Sequence, residues 1–245
     1  MRAFQLRGGL FALTLATVGS VLAASAQPAF AITVTGSSDG SFTNLTNCYS
    51  SACGISSDKN TLTLGANSNW WGNLTGPYST LKAVDMNSFT FSTLPQNDYI
   101  VGELDWANNA TTVTDSDFKA DYNFKLSFTS PSSSSDTQTI TIQIKQPTNP
   151  PGDTVSGLTL ANLSGLGPFN LAGITVSDIK FKSDNAGGSS YNGTTWYNPE
   201  GNLAKMYITA DFAPNAVPEP ASLAMIGLGL VGAGVFRRRK SSAAA

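Results

Sequence analysis

The strongest constraint on this chain is a period of two. Ile140, Ile142 and Ile144 alternate with polar residues in "TITIQIK", and Tyr122, Phe124, Leu126 and Phe128 do so in "DYNFKLSFT". Met206, Ile208, Ala210 and Phe212 repeat the pattern in "KMYITADF". Successive side chains of a strand point to opposite faces, so such runs bury one face and wet the other. "NTLTLG", "STLKAVD", "NSFTFST", "DYIVGELDWA", "DTVSGLTLA" and "GITVSDIKFK" add further strand-like segments, and Ile32 opens the first such run. Between them lie "SPSSSSD", "KQPTNPPGD" and "SDNAGGSSYNGTTWYNPEGN", whose Ser, Gly, Asn and Pro content reads as turns and loops. "ANLSGLGPFNLAG" also reads as a loop, with room for one helical turn. Many short half-buried strands cannot cover their apolar faces singly. The expectation is an all-β, antiparallel β-sandwich of jelly-roll-like form over residues 32–213.

Both ends break the pattern. Arg2 and Arg7 precede an apolar stretch from Gly8 to Leu22, followed by Ala24-Ser25-Ala26 and Ala29-Phe30-Ala31. A positive start, an apolar middle and small-residue cleavage patterns describe a secretory signal peptide over residues 1–31. Cleavage is expected after Ala31, with Ala26 the alternative. Residues 214–245 form the other special segment. "APNAVPEP" is an extended proline-rich linker, and Ala221 to Phe236 is uncharged. A helix over those sixteen residues spans about 24 Å, short of a hydrocarbon core near 30 Å. Gly227, Gly229, Gly232 and Gly234 weaken it further. Arg237, Arg238, Arg239 and Lys240 then form a basic stop that the positive-inside rule places in the cytoplasm. By physics alone the tail is one short transmembrane helix, marginal but correctly oriented for an exported body.

Charge and residue choice narrow the function. Between residues 32 and 216 there are eight lysines, no arginine and fifteen acids, a net charge of −7. An acidic body without arginine lacks the basic surface that phosphate neutralisation needs, which argues against nucleic acid as a partner. The chain contains no histidine. That removes Ser-His-Asp and Cys-His catalysis and histidine ligation of zinc. Cys48 and Cys53 in "NCYSSACG" are expected to form a local disulfide, as suits an exported chain, with a pair of free thiols the alternative. No cofactor or metal is implied.

The tail resembles a known address. "VPEP", an apolar span and "RRRK" occur in that order, and together they are similar to the PEP-CTERM sorting signal of bacterial exported proteins. The resemblance implies Sec export, transient membrane insertion, and recognition of Pro218, Glu219 and Pro220 by an exosortase, an integral-membrane transpeptidase. The mature protein would then reach the cell surface or the exopolysaccharide matrix, without its span, much as a GPI signal is removed. More loosely, "YIVGELDWANNATT" resembles the choice-of-anchor (K-type) domains through Val101, Gly102, Leu104, Trp106 and Asn108. That resemblance implies an all-β exported domain and carries over no functional residues.

Three constellations in the body offer chemistry. Glu103 and Asp105 share one strand face, their Cα atoms about 6.5–7 Å apart. This approaches the carboxylate separations of glycosidases, although an acidic pair on a solvated face looks the same in sequence. Trp70, Trp71 and Tyr78, with Tyr191, Trp196 and Tyr197, sit among Asn, Gly and Ser, as loop aromatics that stack on sugar rings do. The rival reading is that they cover the open ends of the sandwich as satellite core, since tryptophan is usually highly buried. Asp115, Asp117 and Asp121 offer oxygens to calcium, but without the glycine or terminal glutamate of an EF-hand they read as a surface acidic loop. The expected function is a non-enzymatic, structural or adhesive protein of the surface or extracellular matrix. A carbohydrate-binding module using the loop aromatics is the alternative, and a β-sandwich glycosidase the third reading.

Overall fold

The computed structural model describes residues 32–146 and 152–215. The signal peptide, the Pro218-Glu219-Pro220 motif, the apolar span and the basic stop therefore lie outside the described residues. Among the described residues, no helix is long and apolar enough to cross a membrane.

The strands in chain order are β1 (Val34–Thr46), β2 (Gly54–Ile55), β3 (Thr61–Ser68), β4 (Leu74–Val84), β5 (Met86–Phe91), β6 (Gln96–Asn108) and β7 (Val113–Thr114). They continue with β8 (Asp117–Ser130), β9 (Ser134–Lys145), β10 (Asp153–Ser156), β11 (Ile174–Ser183), β12 (Ser190–Tyr191), β13 (Thr195–Asn198) and β14 (Asn202–Pro214). One sheet runs β12-β13-β10-β9-β8-β1-β5 and the other β11-β14-β6-β4-β3-β2, with β7 paired to β3. Every strand pairing is antiparallel. The chain is an all-β sandwich, as the period of two predicts.

The alternation in the sequence becomes the two inner faces. Phe118, Ala120, Tyr122, Phe124, Leu126 and Phe128 of β8 are all buried, as are Ile140, Ile142 and Ile144 of β9. They meet Leu104 and Trp106 of β6 and Ala204, Met206, Ile208, Ala210 and Phe212 of β14 in one apolar core. Rings lock the sheets together at two levels. Phe212 packs against Phe91 and Phe128 at centroid distances of 4.9 and 5.9 Å. Further along, Trp106 and Trp196 meet edge to face at 5.1 Å and 74°. A large ring buries about 150–250 Å², worth ~4–6 kcal/mol of transfer free energy before ordering costs.

The first strand has an unusual composition, and two segments read as loops take regular structure. β1 is a full strand between β8 and β5 although its inward positions are mostly small, including Gly36, Ser38 and Gly40. Their size is needed, because a Cβ on Gly36 would lie 2.4 Å from the Phe89 ring. Leu160–Leu163 forms a one-turn helix, α1, whose N-cap Thr159 accepts from the Asn162 N–H at 3.1 Å. "TWYN", expected as loop, is strand β13, paired with β10 from Asp153↔Asn198 to Ser156↔Thr195.

Candidate functional site

One end of the sandwich gathers the features that are not explained by folding alone. The strand registers bring the end of β3, the start of β4, the end of β6 and the start of β14 to this end of one sheet. The other sheet contributes the end of β9, the start of β10 and the end of β13. The Asn108 amide spans the gap, donating to the Asn198 carbonyl at 2.7 Å.

The β3–β4 turn is organised by Asn69. Its side-chain oxygen accepts from the Trp71 and Asn73 N–H groups at 3.0 and 2.9 Å, and its carbonyl accepts from Gly72 N–H at 2.9 Å. Gly72 sits at φ +75°, where a side chain would be strained. This compact turn holds Trp70 and Trp71 clear of the body, 92% and 81% exposed. Tryptophan is among the residues that gain most from burial, so two adjacent exposed indoles cost stability and suit contact with a partner. Tyr78 stands near the base of the hairpin, 43% exposed, and its carbonyl accepts from Asn109 Nδ2 at 2.8 Å.

A second tip flanks it. Cys48 and Cys53 are joined as a disulfide, closing a small loop that leaves Tyr49 exposed. Asp115, just beyond β7, collects the Tyr49 N–H at 3.0 Å and the Ser50 N–H and Oγ at 2.8 Å each. β7 in turn pairs with β3. The loop that carries Asp115 thus ties the disulfide loop to the tryptophan hairpin.

The second half of the expected aromatic site is not there. Trp196 was expected to stack on sugar; it is fully buried against Trp106. The reason is strand pairing: β13 joins β10, and alternation then turns Trp196 and Asn198 inward and leaves Tyr197 half-buried on the outer face. Tyr191 is half-buried, with its hydroxyl donating to the Leu158 carbonyl. Only Trp70, Trp71 and Tyr78 remain as exposed aromatics from that reading.

The carboxylate pair has a different environment from a catalytic cleft. Glu103 and Asp105 do share the outer face of β6, with Leu104 and Trp106 inward. The ammonium of Lys205, on the neighbouring β14, lies 2.5 Å from Glu103 and 3.3 Å from Asp105. Lys82 of β4 is in register with Asp105 on the other side. Glu103 first, and then Asp105, hold the Lys205 ammonium above the usual lysine range. This is a row of ion pairs on an open sheet face.

The three aspartates considered for calcium do not converge. Asp115 is committed to the disulfide loop, Asp117 accepts from Gln143 Nε2 at 2.6 Å, and Asp121 from Thr141 Oγ1 and Asn44 Nδ2 at 2.7 Å each. A cluster that sequence reasoning missed joins Asp98, Asp178 and Asp211 from three strands or their edges. Lysines fill it: Lys180 lies 2.9 Å from Asp98 and 2.5 Å from Asp178, and Lys182 lies 3.0 Å from Asp98.

Beneath the tips, the inward row of the sandwich turns polar. One position beyond the apolar residues of their strands sit Ser79, Asn108, Gln146, Asp153 and Asn198, none more than 3% exposed. Ser79 Oγ donates to Asn108 Oδ1 at 3.2 Å, and Asn198 Nδ2 donates to the Trp106 carbonyl at 3.1 Å. Burial, reinforced by the charge of Glu200, pushes the Asp153 carboxyl up to about 7, against the opposing hydrogen bond of Asn108.

Comparison with known proteins bears on the tail. Residues 216–240 match the family model of the PEP-CTERM protein-sorting motif. No curated protein matches the chain. The chain therefore carries a PEP-CTERM sorting signal, which marks an exported, surface-directed protein processed by an exosortase. The match lies wholly in the tail and does not reach the β-sandwich.

Proposed function

We propose that the β-sandwich is the mature, non-enzymatic part of a surface or extracellular-matrix protein, with an adhesive role exerted through its tryptophan tip. Export and sorting follow from the tail; the adhesive role rests on one observation, the outward presentation of Trp70 and Trp71 by a turn rigidified around Asn69. Flat indole faces stack on the C–H faces of pyranose rings, and the Asn69 Nδ2 and the exposed Asn73 amide beside them supply hydrogen bonds for sugar hydroxyls. An acidic body favours a neutral polysaccharide over a polyanionic one. On this reading the sorting tail is consumed at the membrane, and the released sandwich contacts exopolysaccharide with the hairpin.

Two measurements test it. Intact mass of the protein from its producing cell should show a chain beginning at Ile32 and ending near Pro220; a mass that retains Arg237 to Lys240 would make the tail a permanent anchor. Retention on the producer's own exopolysaccharide should fall about tenfold or more in the Trp70→Ala/Trp71→Ala double variant, with melting temperature unchanged. Equal retention of parent and variant removes the tip from the role. A parent chain that binds no polysaccharide removes the adhesive reading itself.

A further inference from the structure

The polar layer contains more unsatisfied oxygen than a closed core tolerates. Asp153 is 3% exposed, and its Oδ1 has no hydrogen-bond partner among the described residues. Gln146 is 2% exposed, and neither end of its amide has a partner there. The two are neighbours: Lys145 pairs with Thr154 across β9 and β10, so the next residue of each strand, Gln146 and Asp153, lie side by side. Glu200, on the turn between β13 and β14, couples electrostatically to Asp153, and its Oε2 is buried without a partner. Opposite them, Gly65 carries no side chain; a Cβ there would lie 3.2 Å from Gln146 Oε1. A buried polar oxygen left without a partner keeps an uncompensated desolvation cost, and a bound cation would offset it for the adjacent Asp153 and Gln146 and for Glu200, which couples to Asp153.

We propose that Asp153, Glu200 and Gln146 form a divalent-cation site, with calcium as the ion. Two carboxylates and an amide oxygen are a hard, all-oxygen donor set, without the nitrogen or thiolate that would select zinc or copper. Glu200 is only partly buried, which leaves room for waters to complete the shell. Calcium accepts such irregular coordination, whereas magnesium demands a near-ideal octahedron. Three protein side chains give modest affinity, ~0.1–1 mM, the range of extracellular modules bathed in millimolar calcium. The ion joins β9, β10 and the β13–β14 turn beneath the end that presents Trp70 and Trp71. The Asp98–Asp178–Asp211 cluster is no competitor, because Lys180 and Lys182 already neutralise it. The site stands whether or not the tip binds polysaccharide.

The test uses the protein purified from its producing cell, stripped with EDTA and returned to defined salts. At 10 mM calcium, ~10–100 times the expected Kd, the melting temperature should rise by ~3–10 °C, and by less with equal magnesium. Bound terbium should be excited through Trp106 and Trp196, each two residues inward from the polar layer, and calcium should displace it. Glu200→Gln should abolish the calcium-dependent rise, and Asp153→Asn likewise. Gln146→Glu, which adds a third carboxylate, should lower the calcium midpoint about tenfold. Asp178→Asn should leave it unchanged. Glu200 lies on a half-exposed turn, so its variant folds even if the Asp153 variant does not. No calcium-dependent rise in the parent, or a rise that persists in Glu200→Gln, overturns the proposal.

Discussion

Replacing Trp196 by alanine separates the aromatic that builds this fold from the aromatics that decorate it. Trp196 is fully buried and meets the Trp106 ring at 5.1 Å, joining the two sheets. Large-to-small substitution of a buried ring loses its transfer free energy and leaves a cavity, ~3–5 kcal/mol in total. In a domain of this size that lowers the melting temperature by ~6–20 °C. Trp70→Ala, at a 92% exposed position, should stay within ~0.5 kcal/mol of the parent. Urea unfolding followed by circular dichroism measures both. A cycle of Trp106→Phe, Trp196→Phe and the double variant should then isolate a ring–ring coupling of ~0.5–1.5 kcal/mol. Neither indole N–H has a hydrogen-bond partner among the described residues, so Trp→Phe also relieves an unpaired donor and should cost less than its volume alone suggests. A loss below ~1 kcal/mol for Trp196→Ala, or an equal loss for Trp70→Ala, would refute the placement of β13 in the sheet.

Gly102→Ala should destabilise by ~1–3 kcal/mol with little change in urea m-value, because the new methyl would meet the buried Phe124 ring at 2.5 Å. Lys180, and then Lys182, hold the Asp98 carboxyl below its usual value of 3.8, so this pair's contribution is complete above pH ~4 and is lost as pH falls through the depressed folded value. Asp98→Asn should therefore flatten the acid limb of a stability–pH profile, and salt should do the same to the parent because the group is exposed. Reduction of the Cys48–Cys53 disulfide should cost ~2 kcal/mol, the loop-closure value for so short a loop. Tyr49 fluorescence, or amide exchange at Tyr49 and Ser50, should report the loosening at Asp115 before global unfolding.

The sequence by itself determined the class of fold and the address. Strands β8, β9 and β14 were legible because their inward residues are apolar and the alternation is therefore visible without knowing any partner. The sorting signal was legible for a similar reason: an exosortase substrate is recognised as a linear segment, so its parts must be contiguous. Tertiary structure decided the rest. β1 shows its start near Ile32 but not its neighbours in the sheet, because its inward positions are small enough to admit Phe89 and Tyr122 and so give little apolar alternation. β13 conceals Trp196 because its next inward residue is Asn198, and a buried asparagine breaks the apolar period while satisfying the strand. The grouping of Gln146, Asp153 and Glu200, and the capture of Asp98 by Lys180 and Lys182, depend on which strands pair and in which register. Periodicity reports only how each face meets water. Which faces meet each other is set by non-local pairing, and the polar layer and the ion pairs exist only at that level.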